Sequence, residues 1–172
     1  MMTNDDLEQL ITQYGKDIYS FCIHLTQNTD MADDLYQETF LVASRRRWIV
    51  SAAKKPKEYL LSVAVHTWTN MKRKYARRLS IAGEVSYEET FDVSSGDDIQ
   101  AQVIDAKRKE AVRLAVHKLP EKYRMVILLH YMEEMGVTQI AKMLHVPVGT
   151  VKSRLAKARK ILAGELEEWI DE

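Results

Sequence analysis

Residues 136–162 constrain the fold of this chain more than any other stretch. From Gly136 to Leu162 the sequence reads as two helices with a tight turn between them. Ile140, Ala141 and Leu144 recur at helical spacing in the first, and Val151, Leu155, Ala158, Ile161 and Leu162 in the second. The run His145-Val146-Pro147-Val148-Gly149 interrupts both patterns, and Thr150 or the loop before it can supply the start of the second helix. Ala141 is small enough to allow the close crossing that a helix-turn-helix unit requires. On the second helix Lys152, Ser153, Ala156 and Lys157 fall opposite the apolar stripe, with Arg154, Arg159 and Lys160 flanking it. Six bases and no acid occupy residues 142–160. Long cations and a small hydroxyl on one helical face suit a DNA major groove, where base edges are read and phosphates are held. A basic face alone would fit a solvated helix of any bundle. The turn, the small residue and the basic face together point to nucleic acid.

A chain of 172 residues fits one large or two small domains. Its hydrophobic content of 46% supports a packed core, and six Gly and three Pro among long helical periods point to an all-α fold. The net charge of zero hides strong segregation. Residues 45–78 carry eleven Lys or Arg against Glu58 alone, whereas residues 79–106 carry seven acids and no base. Blocks of opposite sign imply separate surfaces with separate partners. Cys22 is the only cysteine, so no intrachain disulfide is available, and its place in an apolar stripe predicts a core residue. No apolar run reaches the length of a membrane span and the amino terminus is acidic, so a cytoplasmic protein without membrane insertion is expected.

In chain order, Leu7, Leu10, Ile11, Tyr14, Ile18, Phe21, Cys22 and Leu25 predict a helix over 4–27. Asn28-Thr29-Asp30 ends it and caps a second helix over about 30–46, which buries Ala32, Leu35, Thr39 and Ala43. Asp34, Gln37, Glu38 and Leu41 share another face of that helix, and Phe40 and Leu41 beside the acids add apolar surface suited to a protein partner. Arg45-Arg46-Arg47-Trp48 opens a connection that runs to Lys57. Pro56 suits the first turn of a third helix over about 57–78, with Leu60, Val63, Ala64, Thr67, Trp68 and Met71 toward the core. Its other faces offer His66, Asn70, Lys72, Arg73, Lys74, Arg77 and Arg78. Aromatics among cations can stack unpaired bases, so Trp68 is either core or stacking platform. Around Ser94-Ser95-Gly96-Asp97-Asp98 the pattern breaks down into an acidic flexible linker. Helical period resumes near Ile104 and stops at Pro120, and a strongly apolar helix then leads into the helix-turn-helix.

These features resemble the bacterial extracytoplasmic-function sigma factors, small members of the sigma-70 family. Leu119-Pro120, Arg124, Ile127 to Leu129, Ile140-Ala141, Leu144 and the run from Gly149 to Arg159 stand in the family's order and spacing. The run from Ala32 to Leu41 resembles the helix that docks on the polymerase clamp, and that from Tyr59 to Arg73 resembles the helix at the promoter's minus-ten element. The resemblance covers about residues 5–78 and 105–165. Three positions depart from the family's pattern: His66 and Asn70 stand where an Asn and an Asp are usual, and Gln139 where a Glu is usual.

The resemblance implies a region-2-like domain over 1–79, a linker over 80–104 and a region-4-like helix-turn-helix domain over 105–172. It implies a transcription initiation factor that binds core RNA polymerase, recognises the minus-thirty-five element and melts the minus-ten element. Lys152, Ser153 and Lys157 would reach base edges or the groove, with Thr150, Arg154 and Arg159 on phosphates or bracing the helix. Arg46, Trp48, Lys54, Lys55, His66, Asn70, Arg73, Lys74 and Arg77 would hold melted minus-ten DNA. Asp34, Gln37, Glu38 and Leu41 would meet the beta-prime clamp, with the beta flap a further polymerase contact, and the acidic linker would thread the polymerase. An anti-sigma factor, a free monomer, no cofactor and no metal complete the expectation.

Two other readings compete. A stand-alone helix-turn-helix repressor or activator would explain residues 136–162 but predicts a dimer and a palindromic site, and gives the linker and the clamp-like helix no job. An enzyme acting on nucleic acid finds little support, because His24, His66, His117, His130 and His145 are scattered and no Walker loop, nucleophile elbow or HExxH is present.

Overall fold

The computed structural model describes residues 3–46, 54–82 and 103–170, with side chains over 3–46, 54–81 and 106–167. Every regular element among them is helical. The chain divides into two compact units, residues 1–92 and 93–172.

The first unit holds α1 (Asn4–Thr26), α2 (Thr29–Arg45) and α3 (Pro56–Ala82). Thr3 and Asp6 start α1 with a reciprocal capping box. The Asp6 carboxylate accepts from the Thr3 N–H at 2.6 Å, and the Thr3 hydroxyl accepts from the Asp6 N–H at 3.3 Å. Gln27 closes α1 in the left-handed region at φ 57°, its N–H on the Ile23 carbonyl at 2.9 Å. Asn28 then caps α2 by accepting from the Met31 N–H at 3.0 Å. Two residues therefore turn the chain, and α2 packs against both α1 and α3. Its buried stripe is wider than the expected Ala32, Leu35, Thr39 and Ala43, because Phe40 is also buried, at 6% exposure. Phe40 packs edge-on to Tyr36, so it belongs to the core and not to the partner surface expected beside Leu41. Gly15 is buried where α1 meets α2; a Cβ there would stand 2.9 Å from the Tyr36 hydroxyl. On α3, Trp68 is buried at 7% exposure with Lys72 over its ring at 5.7 Å, which makes it core.

The second unit holds α4 (Val103–Lys118), α5 (Glu121–Ile127) passing into a π-helical turn (Leu128–Met132), α6 (Val137–Leu144) and α7 (Val148–Ile170). α7 packs on α4, α5 and α6 by burying Val151, Leu155 and Ala158, and Val126, Leu129, Ile140 and Ala141 share that core. Arg124 is buried, and its Nη1 donates to the Leu119 carbonyl at 2.9 Å just beyond the carboxyl end of α4. A helix end is short of partners for its carbonyls, and this guanidinium supplies one to the residue that follows.

Cys22 is fully buried among apolar neighbours, and desolvation pushes its thiol up to about 12. The native protein should resist a thiol reagent such as DTNB at neutral pH and react at once in denaturant; rapid labelling of the folded chain would contradict this burial. In the unfolded chain the thiol ionises near its ordinary value of 9.0, while the native thiol holds its proton to about 12. The Cys22 contribution to stability is therefore complete below about pH 9 and is lost as pH rises through about 12. Urea titrations of wild type and Cys22→Ala across that window should show a shallower pH dependence in the variant.

Candidate functional site

The helix-turn-helix is set by backbone chemistry. The Gly136 N–H donates to Gln139 Oε1 at 3.1 Å at the start of α6, so Gln139 caps as the more usual Glu would. His145 ends α6 in the left-handed region at φ 55°, and the Val146 N–H reaches the Ala141 carbonyl at 3.1 Å. The turn is thus made by His145, Val146 and Pro147, a shorter interruption than the sequence suggested. Val148, Gly149 and Thr150 already lie in the first turn of α7, and Gly149 has open space where a side chain would stand. Ala141, 5% exposed, is part of the core this unit shares with α7.

With Val151, Leu155 and Ala158 inward, α7 turns Lys152, Ser153, Lys157 and Arg159 to solvent and leaves Thr150 and Arg154 half-buried. This is the division the helical period predicts. Arg159 also makes a contact that spacing does not reveal: its Nε donates to the Tyr131 hydroxyl at 2.6 Å, and its guanidinium lies 5.6 Å from the centre of that ring.

In the first unit, Asp34, Gln37, Glu38 and Leu41 line one groove between α2 and α3, with a volume of about 390 Å³. Asn70, Met71 and Lys74 of α3 form its other wall, so two residues expected at the minus-ten element share a surface with the four expected at the polymerase. A second groove of about 410 Å³ continues toward Asp30 and Arg78. Leu41 is 49% exposed, a large apolar side chain next to carboxylates, as a partner-facing residue would be. His66, Asn70, Arg73 and Arg77 are exposed at i, i+4, i+7 and i+11, one continuous stripe along α3. Lys74 is exposed beside that stripe. Arg46 is exposed at the carboxyl end of α2, and Lys54 and Lys55 are exposed before α3, where Lys55 meets Glu58 at 3.3 Å. Trp48 and most of the expected linker lie outside the described residues. Among the described residues no cluster of His, Cys, Asp and Glu could hold a metal, and no helix is long and apolar enough to cross a membrane.

A helix-turn-helix with an exposed basic face, joined on one chain to a second helical unit that carries its own stripe of cations, is the pattern of a DNA-binding protein. Sequence comparison agrees: Sigma-70 region 2 matches residues 10–78 and Sigma-70 region 4 matches residues 109–162. The chain belongs to the sigma-70 family, within its extracytoplasmic-function branch. It is 27% identical over 169 residues to the extracytoplasmic-function sigma factor SigW of Bacillus subtilis, covering 95% of this chain and 90% of that protein. It is 26% identical over 161 residues to SigM of the same organism, covering 94% and 93%. In fold it is similar to the sigma factor RpoE of Bartonella quintana, solved in complex with the anti-sigma factor NepR, with a TM-score of 0.76 at 21% identity over 94% of this chain and 97% of that one.

The cap at α6 gives a direct test of the turn. Gln139→Ala should lower stability by about 1 kcal/mol, whereas Gln139→Glu, which keeps the acceptor and places a negative charge at the helix amino terminus, should hold or slightly raise it. Urea denaturation of the three proteins would measure both changes, and an unchanged midpoint for Gln139→Ala would contradict the cap.

Proposed function

We infer that this protein is a transcription initiation factor that binds core RNA polymerase and directs it to promoters by recognising a minus-thirty-five element and melting a minus-ten element. The observation that carries the reading is the presence on one chain of two basic helical faces, on α3 and α7, and of an acidic groove that holds Leu41 exposed. A stand-alone repressor needs only the α7 face.

In the proposed arrangement α7 lies in the major groove of the minus-thirty-five element. Lys152, Ser153 and Lys157 meet base edges or the groove, and Thr150, Arg154 and Arg159 meet phosphates or steady the helix. The α3 stripe of His66, Asn70, Arg73 and Arg77, with Lys74, Arg46, Lys54, Lys55 and Trp48, holds melted minus-ten DNA. Extruding one base costs a few kcal/mol, which several phosphate and stacking contacts together can offset. Asp34, Gln37, Glu38 and Leu41 meet the beta-prime clamp, and the second unit also meets the beta flap. The acidic stretch 79–106 threads the polymerase, where its charge imitates nucleic acid. RpoE was solved with the anti-sigma factor NepR, and a second fold neighbour, CnrH, with the cytosolic domain of CnrY; the first of these supports an anti-sigma partner here. The factor works in the cytoplasm and is a monomer when free.

The test is transcription with purified bacterial core polymerase on a library of promoter fragments. Wild type should initiate at a shared two-part promoter, and the triple variant Gln37→Ala, Glu38→Ala, Leu41→Ala should lose at least about 10-fold of that activity, equivalent to about 1.4 kcal/mol of core binding. Wild-type protein that binds DNA yet never recruits polymerase would overturn the reading.

A further inference from the structure

We propose that Tyr131 is a positioning residue of the DNA interface, holding the Arg159 guanidinium as a preset clamp for a phosphate at the edge of the groove that α7 enters. The inference rests on the reading of α7 as the recognition helix. Arg159 follows Lys152 by seven residues, which places it on the same stripe, two turns and about 10 Å further along the axis. When the first turns of a helix enter the major groove, residues two turns later come to the groove's edge, where the strand's phosphates run.

A solvent-exposed arginine ordinarily samples many rotamers and loses that freedom on binding. Arg159 is already fixed by two different contacts with Tyr131: its Nε–H donates to the hydroxyl at 2.6 Å, and its plane lies over the ring at 5.6 Å. The hydrogen bond uses Nε alone, so the two Nη groups keep the forked donors that match phosphate oxygens. The Tyr131 hydroxyl accepts from Arg159 and retains its own proton for donation to the same phosphate.

Core packing does not explain Tyr131, which is 55% exposed. It projects from the π-helical turn Leu128–Met132, where its ring meets the edge of His130 at 4.8 Å and His130 is itself anchored through Nδ1 on the Met135 carbonyl at 2.8 Å. Short π-helical turns occur frequently at functional sites. A purely structural bridge between the turn and α7 would support the fold but leave the number of phosphate contacts unchanged, and that difference can be measured.

The experiment uses holoenzyme reconstituted from the full chain and core polymerase, a fluorescent promoter fragment taken from the library above, and anisotropy over a series of KCl concentrations. Arg159→Ala should weaken binding about 5- to 10-fold and make the slope of log K against log salt shallower by about 0.9. Tyr131→Ala should weaken binding about 2- to 5-fold with a smaller change of slope. The double variant should be no weaker than Arg159→Ala alone, because both act through one contact. Tyr131→Phe, which keeps the ring, should fall between wild type and Tyr131→Ala, and it preserves the packing should the alanine variant fold poorly. Wild-type affinity and slope for both Tyr131 variants, or simple addition in the double variant, would overturn the positioning role while Lys152→Ala still weakens binding. If Lys152→Ala and Arg159→Ala are both silent, the recognition-helix reading itself falls and takes this proposal with it.

Discussion

The burial of one face of α7 sets the geometry of the second unit. Val151, Leu155 and Ala158 must leave water, and α4, α5 and α6 provide apolar surfaces against which that unit packs them. At 3.6 residues per turn, committing those three positions inward commits Lys152, Ser153, Lys157 and Arg159 outward, with no further instruction. Apolar burial is non-directional, yet on a helix it has a directional result: the core positions of α7 decide which side chains DNA can meet. The same logic works on α3, where Leu60, Ala64 and Trp68 are buried and the stripe from His66 to Arg77 is left outside.

Much of this was legible because helical period is a local signal that repeats. The stripes of α1, α3 and α7 could be counted in the sequence, and so could the solvent faces opposite them. Phe40 was misplaced because α2 serves two neighbours. A helix packed on both sides has a wider buried arc than period alone predicts, and the sequence of one helix does not announce how many partners it has. Trp68 stayed ambiguous for a related reason: tryptophan among cations suits both a core edge and a base-stacking platform, and only its burial decides. The sequence offered the whole run from His145 to Gly149 as the turn, but His145 alone takes the left-handed conformation, at φ 55°, and Val148 and Gly149 already belong to α7. The contact between Tyr131 and Arg159 had no sequence signal at all, since it joins residues 28 positions apart through a π-helical turn that no composition marks. Arg124 was visible as part of a familial pattern, while its physical task, supplying a donor to the carbonyl just past α4, needed coordinates.

In the first unit one groove brings the side chains of two helices onto a common surface. α2 and α3 share a groove whose walls carry acids and an exposed leucine on one side and Asn70 and Lys74 on the other. Ligands approaching the two walls are neighbours within about two turns of helix. A charged ligand bound along α2 would therefore change the electrostatic surroundings of the α3 side chains directly, through space, without any need for a conformational relay.

The turn of the helix-turn-helix is closed by main-chain groups: the His145 N–H on the Lys142 carbonyl, the Val146 N–H on the Ala141 carbonyl and the Thr150 N–H on the Pro147 carbonyl. None of these bonds involves a side chain on the solvent face of α7. The frame that aims the helix is thus chemically separate from the letters it presents, and Lys152, Ser153 and Lys157 can be exchanged over evolutionary time without re-solving the packing problem. Substitutions on that face leave untouched the main-chain bonds that close the turn, so what the helix presents can change without any change in how it is held.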